Sequence, residues 1–128
     1  MYRLDTNVTP KELTKYGFKI GREWTDNERF ICNDYERDDF WLVPMNPDFP
    51  EEIYYADEEF DQPIWSIHVQ YIDARYAECP YYRLIIDCVP ASTYHISNMD
   101  MEQMFYVLYL MIKDGIIIDN YEGDKDGN

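Results

Sequence analysis

Side-chain chemistry in this chain would have to come from two histidines, His68 and His95, and three cysteines, Cys32, Cys79 and Cys88. Metal centres and nucleophilic sites need such groups at short spacings, as in Cys-x-x-Cys or His-x-x-x-His, so that they converge on one point. None of the five stands at such a spacing. His68 alternates with Ser66 and Gln70 on the polar side of a strand pattern and reads as a surface histidine, while Cys32 and Cys88 read as small core residues. The five glycines are scattered and form no phosphate-binding loop. Glu122-Gly123-Asp124-Lys125-Asp126-Gly127 opens like a calcium-binding loop, but the acidic residue at its twelfth position and the second helix are missing. Adjacent carboxylates occur at Asp38-Asp39, Glu51-Glu52 and Glu58-Glu59, and nothing in their surroundings marks one as an acid and its neighbour as a base. The expectation is a non-enzymatic protein with no metal and no cofactor; the alternatives are a protein acting by self-association and a small hydrolase using His68 or His95.

Charge carries the stronger signal. The formal net charge is −15. Residues 1–30 hold six bases and five acids, residues 31–74 one base and twelve acids, and residues 75–128 four bases and nine acids. A field of this sign disfavours nucleic acid and anionic membranes and steers the chain towards basic surfaces. Twelve carboxylates match the phosphates on roughly 20 Å of duplex, at about one charge per 1.7 Å. The same stretch holds Tyr35, Phe40, Trp41, Phe49, Tyr54, Tyr55 and Phe60, and aromatics within charged surfaces anchor interfaces. The candidate partner surface is Asp38, Asp39, Glu51, Glu52, Asp57, Glu58, Glu59 and Asp61, with Tyr54 and Tyr55 as anchors. It would imitate nucleic acid towards a basic groove. The plainer reading is a solubilising charge coat, solvated and without a partner.

These residues need elements to hold them. At 128 residues the chain reads as one domain, able to bury a core without disulfides. Thr9–Gly17 predicts a short helix: Pro10 at its first position, Glu12 to close a capping box and Gly17 to stop it. Strand patterns follow at Phe18–Trp24, with Phe18, Ile20 and Trp24 on one face, then at Arg29–Asn33 and Asp39–Val43, a β-meander. Pro44–Pro63 reads as an acidic, proline-rich loop, with a brief edge strand at Ile53-Tyr54-Tyr55. Ile64–Asp73 alternates as a half-buried strand, and Tyr82–Val89 follows as its hairpin partner. Asn98–Gly115 predicts the one long helix, capped at Ser97 or Asn98. Met101, Met104, Phe105, Leu108, Met111 and Ile112 form the stripe expected to face the sheet, and Tyr106 and Leu110 need another cover, which makes them candidates for a homodimer surface. Ile116–Ile118 adds a last short strand, and Tyr121–Asn128 reads as a mobile tail.

Two stretches together resemble small uncharacterised phage and prophage proteins of Gram-positive bacteria. They are Leu13-Thr14-Lys15-Tyr16-Gly17-Phe18-Lys19, with its YGFK-like turn, and Leu108 to Ile117, LYLMIKDGII, with its LYxLIxxGII-like helix end. The resemblance spans about a seventh of the chain, and Pro44–Pro63 departs from its pattern. It implies no active site. It implies a phage context, hence the host cytoplasm, and a role such as inhibition of a host nuclease, CRISPR effectors included.

The expected architecture is therefore α+β: a short N-terminal helix, an antiparallel sheet of about five strands, and a long C-terminal helix on a sheet face. An odd cysteine count, no signal-peptide core and no apolar run near 20 residues point to a soluble cytoplasmic protein. Its expected partner is a basic, nucleic-acid-binding protein such as a nuclease, with no direct contact to nucleic acid.

Overall fold

The structure is a computed structural model that describes residues 2–24, 34–55, 62–73, 75, 79–88 and 98–119. Among these residues six strands form one antiparallel sheet: β1 (Tyr2–Leu4), β2 (Lys19–Ile20), β3 (Phe40–Leu42), β4 (Trp65–Ile72), β5 (Tyr81–Cys88) and β6 (Ile117–Asp119). Their order is β2-β3-β4-β5-β1-β6. Helix α1 (Asn98–Lys113) connects β5 to β6. Because β1 is antiparallel to both β5 and β6, those two strands run parallel with the N-terminal strand inserted between them. The α+β reading holds: four of the five meander and hairpin strands and the last short strand are present as β2 to β6, and one strand was not expected. The addition is β1, whose three residues carry no alternation of their own.

Alternation along β4 and β5 divides the sheet into two faces. On one, Trp65, Ile67, Val69 and Leu84 are buried together with Leu4, Leu13, Phe18, Leu42, Ile117 and the α1 residues Met104, Val107 and Met111. This is the main core. The other face carries Ser66, His68 and Gln70 from β4, Arg83 and Ile85 from β5, Arg3 from β1 and Trp41 from β3, as the cross-strand partners require. A smaller cluster of Trp24, Trp41, Val43 and Ile53 covers part of that polar face. The predicted strand Phe18–Trp24 is therefore corrected. It pairs only at Lys19–Ile20, turns at Gly21–Glu23 into a 3-10 turn, and sends Phe18 and Trp24 into different clusters. The predicted strand Arg29–Asn33 and the tail 121–128 lie outside the described residues.

Two glycine stops give the chain its corners. The N-terminal turn, Pro10–Tyr16, is 3-10 rather than α, and the Glu12 carboxylate accepts a bond from the Thr9 amide at 2.7 Å. Gly17, at φ +99°, then donates to the Thr14 carbonyl, and Phe18 donates to Leu13. Gly115, at φ +73°, repeats the pattern at the end of α1: it donates to Ile112, and Ile116 donates to Met111. Both are Schellman motifs, in which a left-handed glycine satisfies the last carbonyls and brings two apolar residues together across the stop. Here the apolar pairs are Leu13 with Phe18 and Met111 with Ile116, all buried. The residues just before the two glycines also meet, because the Tyr16 hydroxyl donates to the Asp114 carboxylate at 2.6 Å.

The described part of the 44–63 segment is not open loop. Met45 bridges Ile53, Tyr55 bridges Pro63, and the Tyr54 amide donates to the Pro44 carbonyl at 2.9 Å. Ile53 is buried by this fold-back.

Candidate functional site

The polar face of the sheet holds an open cleft of about 760 Å³ lined by Asp39, Gln70, Tyr71, Ile72, Asp73, Arg75, Tyr81 and Arg83. At its inner edge the His68 ring lies 2.8 Å from the Asp39 carboxylate through Nε2 and stacks on Trp41 with ring centres 3.9 Å apart. His68 is only 5% exposed, so its reading as a surface histidine is corrected. The strand pattern placed it on the polar face correctly, but the tryptophan opposite it on β3 and Asp39 cover that face. Trp41 is itself held, its indole N–H donating to the Glu36 carbonyl at 2.8 Å and its carbonyl accepting from the Trp24 indole at 3.1 Å. Among the described residues, no hydroxyl or thiol bonds to the His68 ring. Cys79 and Cys88 are both exposed, which corrects Cys88 as a core residue; partial desolvation of the Cys88 thiol and the nearby Asp87 push its pKa up. No three His, Cys, Asp or Glu side chains gather among the described residues.

The outer part of the cleft is set by charge. Arg75 lies against Asp73 through Nε and Nη2, the latter at 2.9 Å, and hydrogen bonding from Arg75 holds the Asp73 carboxyl below its usual range. Arg83 donates from Nε to the Gln70 side-chain oxygen at 2.8 Å. Arg3, directly opposite Arg83 in the sheet, sits over the Tyr81 ring at 5.7 Å. Its Nε is buried without a hydrogen-bond partner.

The carboxylates singled out in the sequence do not form one free acidic surface within the described residues. Asp38 is exposed but bonds Arg22 at 2.6 Å, and that bond holds its carboxyl below the usual range. Asp39 is committed to His68. Glu51 and Glu52 are exposed in the turn after Pro50, with the Glu52 amide donating to the Phe49 carbonyl. Tyr54 and Tyr55 are half-buried and pack inward, Tyr54 on the main core and Tyr55 on the smaller cluster. Asp57, Glu58, Glu59 and Asp61 lie outside the described residues.

A second surface lies on α1. Phe105 and Tyr109 are each 57% exposed and Ile112 is 48% exposed, a ridge at i, i+4, i+7. Tyr106 is exposed as well, and Leu110 is half-buried. The stripe expected to face the sheet is thus corrected at Phe105 and Ile112. At about 100° per residue, Met104, Val107 and Met111 share one direction, and Phe105 and Ile112 stand well round the axis from it. The apolar arc of α1 is wider than the core can cover, and the half read as buried is partly the outer half.

No protein-family model matches the chain, and no curated protein or solved structure matches it. No helix among the described residues is long and apolar enough to cross a membrane.

Proposed function

We propose that this chain is a non-catalytic acidic binding protein whose partner is a basic, nucleic-acid-binding protein. Its form would be that of a phage-type inhibitor of a nuclease, a CRISPR effector being one such target. The observation that carries the reading is the Phe105–Tyr109–Ile112 ridge, exposed on a chain of net charge −15. Large aromatic side chains dominate interface energetics when a partner desolvates them, and a strong net charge selects which partner approaches. A second copy of the chain fits this ridge less well than a cationic protein does, since two copies at −15 repel each other. In this reading α1 lies across the core face of the sheet on Met104, Val107 and Met111 and offers its outer flank. The exposed Glu51 and Glu52, with the 57–61 acids, supply the nucleic-acid-like charge that steers the encounter.

The test is displacement of a labelled duplex from purified cationic nucleases by the full chain. The expected result is displacement that weakens at least about tenfold between roughly 50 and 200 mM salt. Displacement insensitive to salt, or none at low salt, would contradict the proposal. Sedimentation of the chain alone across concentration should show a monomer; a dimer disrupted by Tyr109→Asp would make a second copy the occupant of the ridge instead.

A further inference from the structure

Acids outnumber bases by 26 to 11 in this chain, so its basic side chains should find carboxylates easily. Two arginines in the middle of the sheet find none among the described residues. Arg3 on β1 and Arg83 on β5 are direct cross-strand partners on the polar face. Like charges placed directly opposite on a sheet oppose its pairing. Among the described residues neither guanidinium hydrogen-bonds a carboxylate. Arg83 spends its Nε on Gln70 and makes no other side-chain hydrogen bond among the described residues, and Arg3 rests on the Tyr81 ring with its Nε buried and unbonded.

The geometry fixes the orientation of one of these guanidiniums. Holding Nε on Gln70 fixes the plane of the Arg83 guanidinium and leaves its two Nη groups as an end-on fork. A fork of parallel N–H donors matches the two oxygens of a carboxylate, and such charge-assisted pairs are stronger than neutral bonds. Arg83, Gln70 and Tyr81 all line the cleft of about 760 Å³, a size suited to a small organic molecule. Ile72 and Tyr81, on the same face as Arg83, give that cleft an apolar wall. The long-range field of a chain at −15 opposes any anion, and opposes a dianion about twice as strongly as a monoanion.

We infer that Arg83 and Arg3, with Gln70 and Tyr81, form a binding site for a small organic monocarboxylate carrying an apolar body. The carboxylate takes the Nη fork of Arg83 in the cleft, Arg3 on the neighbouring strand adds positive charge behind it, and the body lies on the Tyr81 and Ile72 wall. The site is on the opposite sheet face from the α1 ridge, so it stands or falls independently of the proposed partner.

Benzoate is the probe. Titrated into the isotope-labelled full chain at low salt, it should give saturable shifts at the Arg83 side-chain Nε–H and at Tyr81, with inorganic phosphate binding more weakly. Arg83→Lys keeps the charge but removes the fork, and it should weaken benzoate by about tenfold or more; Arg3→Gln should do likewise. Lys11→Gln, on the exposed N-terminal turn, should leave binding unchanged. No saturable shift in the unaltered chain, phosphate binding as tightly as benzoate, or full affinity in a folded Arg83→Lys variant would each overturn the assignment.

Discussion

Tyr16 shows how one side chain ties distant parts of the sequence together. Partial burial, then the hydrogen bond to Asp114, raise its pKa from 10.0 to about 12. The folded state thus holds the phenol proton more tightly than the unfolded chain does. Its contribution to stability is complete below pH 10 and is lost as the pH rises through about 12. Stability measured by denaturant titration should therefore fall across that window, and the fall should be shallower in Tyr16→Phe. Asp114→Asn should remove only part of the shift, because burial, its largest single cause, remains; a pH profile of Tyr16→Phe identical to that of the parent chain would refute this. His68 teaches the complementary lesson. Its alternation with Ser66 and Gln70 gave the correct face but not its burial, since burial is decided by Trp41, a residue 27 positions away in sequence.

At the level of elements, the helix stops are the parts most legible from sequence, because Schellman chemistry is local and glycine is its signature. Both resemblance stretches end in such a stop, and both feed an edge strand of the sheet. Placing alanine in the left-handed region costs about 1–2 kcal/mol at either site. A Cβ on Gly17 would also meet the buried Leu42 Cδ1 at 3.3 Å, whereas one on Gly115 meets nothing within 4 Å. Chemical denaturation should thus show Gly17→Ala to be the more destabilising of the two, and equal losses would speak against the close approach to Leu42. The orientation of α1 was not legible in the same way. Periodicity defines an apolar arc, but which half meets the core depends on the sheet beneath it. Met111→Ala, at 0% exposure, should cost about 2–5 kcal/mol. Ile112→Ala, at 48% exposure, should cost less than about 1 kcal/mol. The reverse order would restore the face that the sequence suggested.

Across the whole molecule, the α+β class followed from strand alternation and one strong helical signal, while the sheet order did not. β1 is three residues long and its arginine breaks any apolar pattern, yet it sits between β5 and β6 and creates the Arg3–Arg83 pair. No local signal marks that pair, because it exists only once the first and fifth strands are neighbours. Net charge was legible from the start, but its distribution was only partly so, since Asp38 and Asp39 are engaged by Arg22 and His68 rather than offered to a partner. What the folded molecule presents instead is an acidic body with a bare aromatic ridge. The most direct test of that account is the duplex-displacement assay repeated with the paired substitution Phe105→Asp and Tyr109→Asp, in a variant that retains the parent fold by circular dichroism. The account predicts that inhibition weakens by tenfold or more, in keeping with about 1–2 kcal/mol for each aromatic contact, even though the added charge makes the chain more acidic. Displacement as strong as that of the unaltered chain would contradict it.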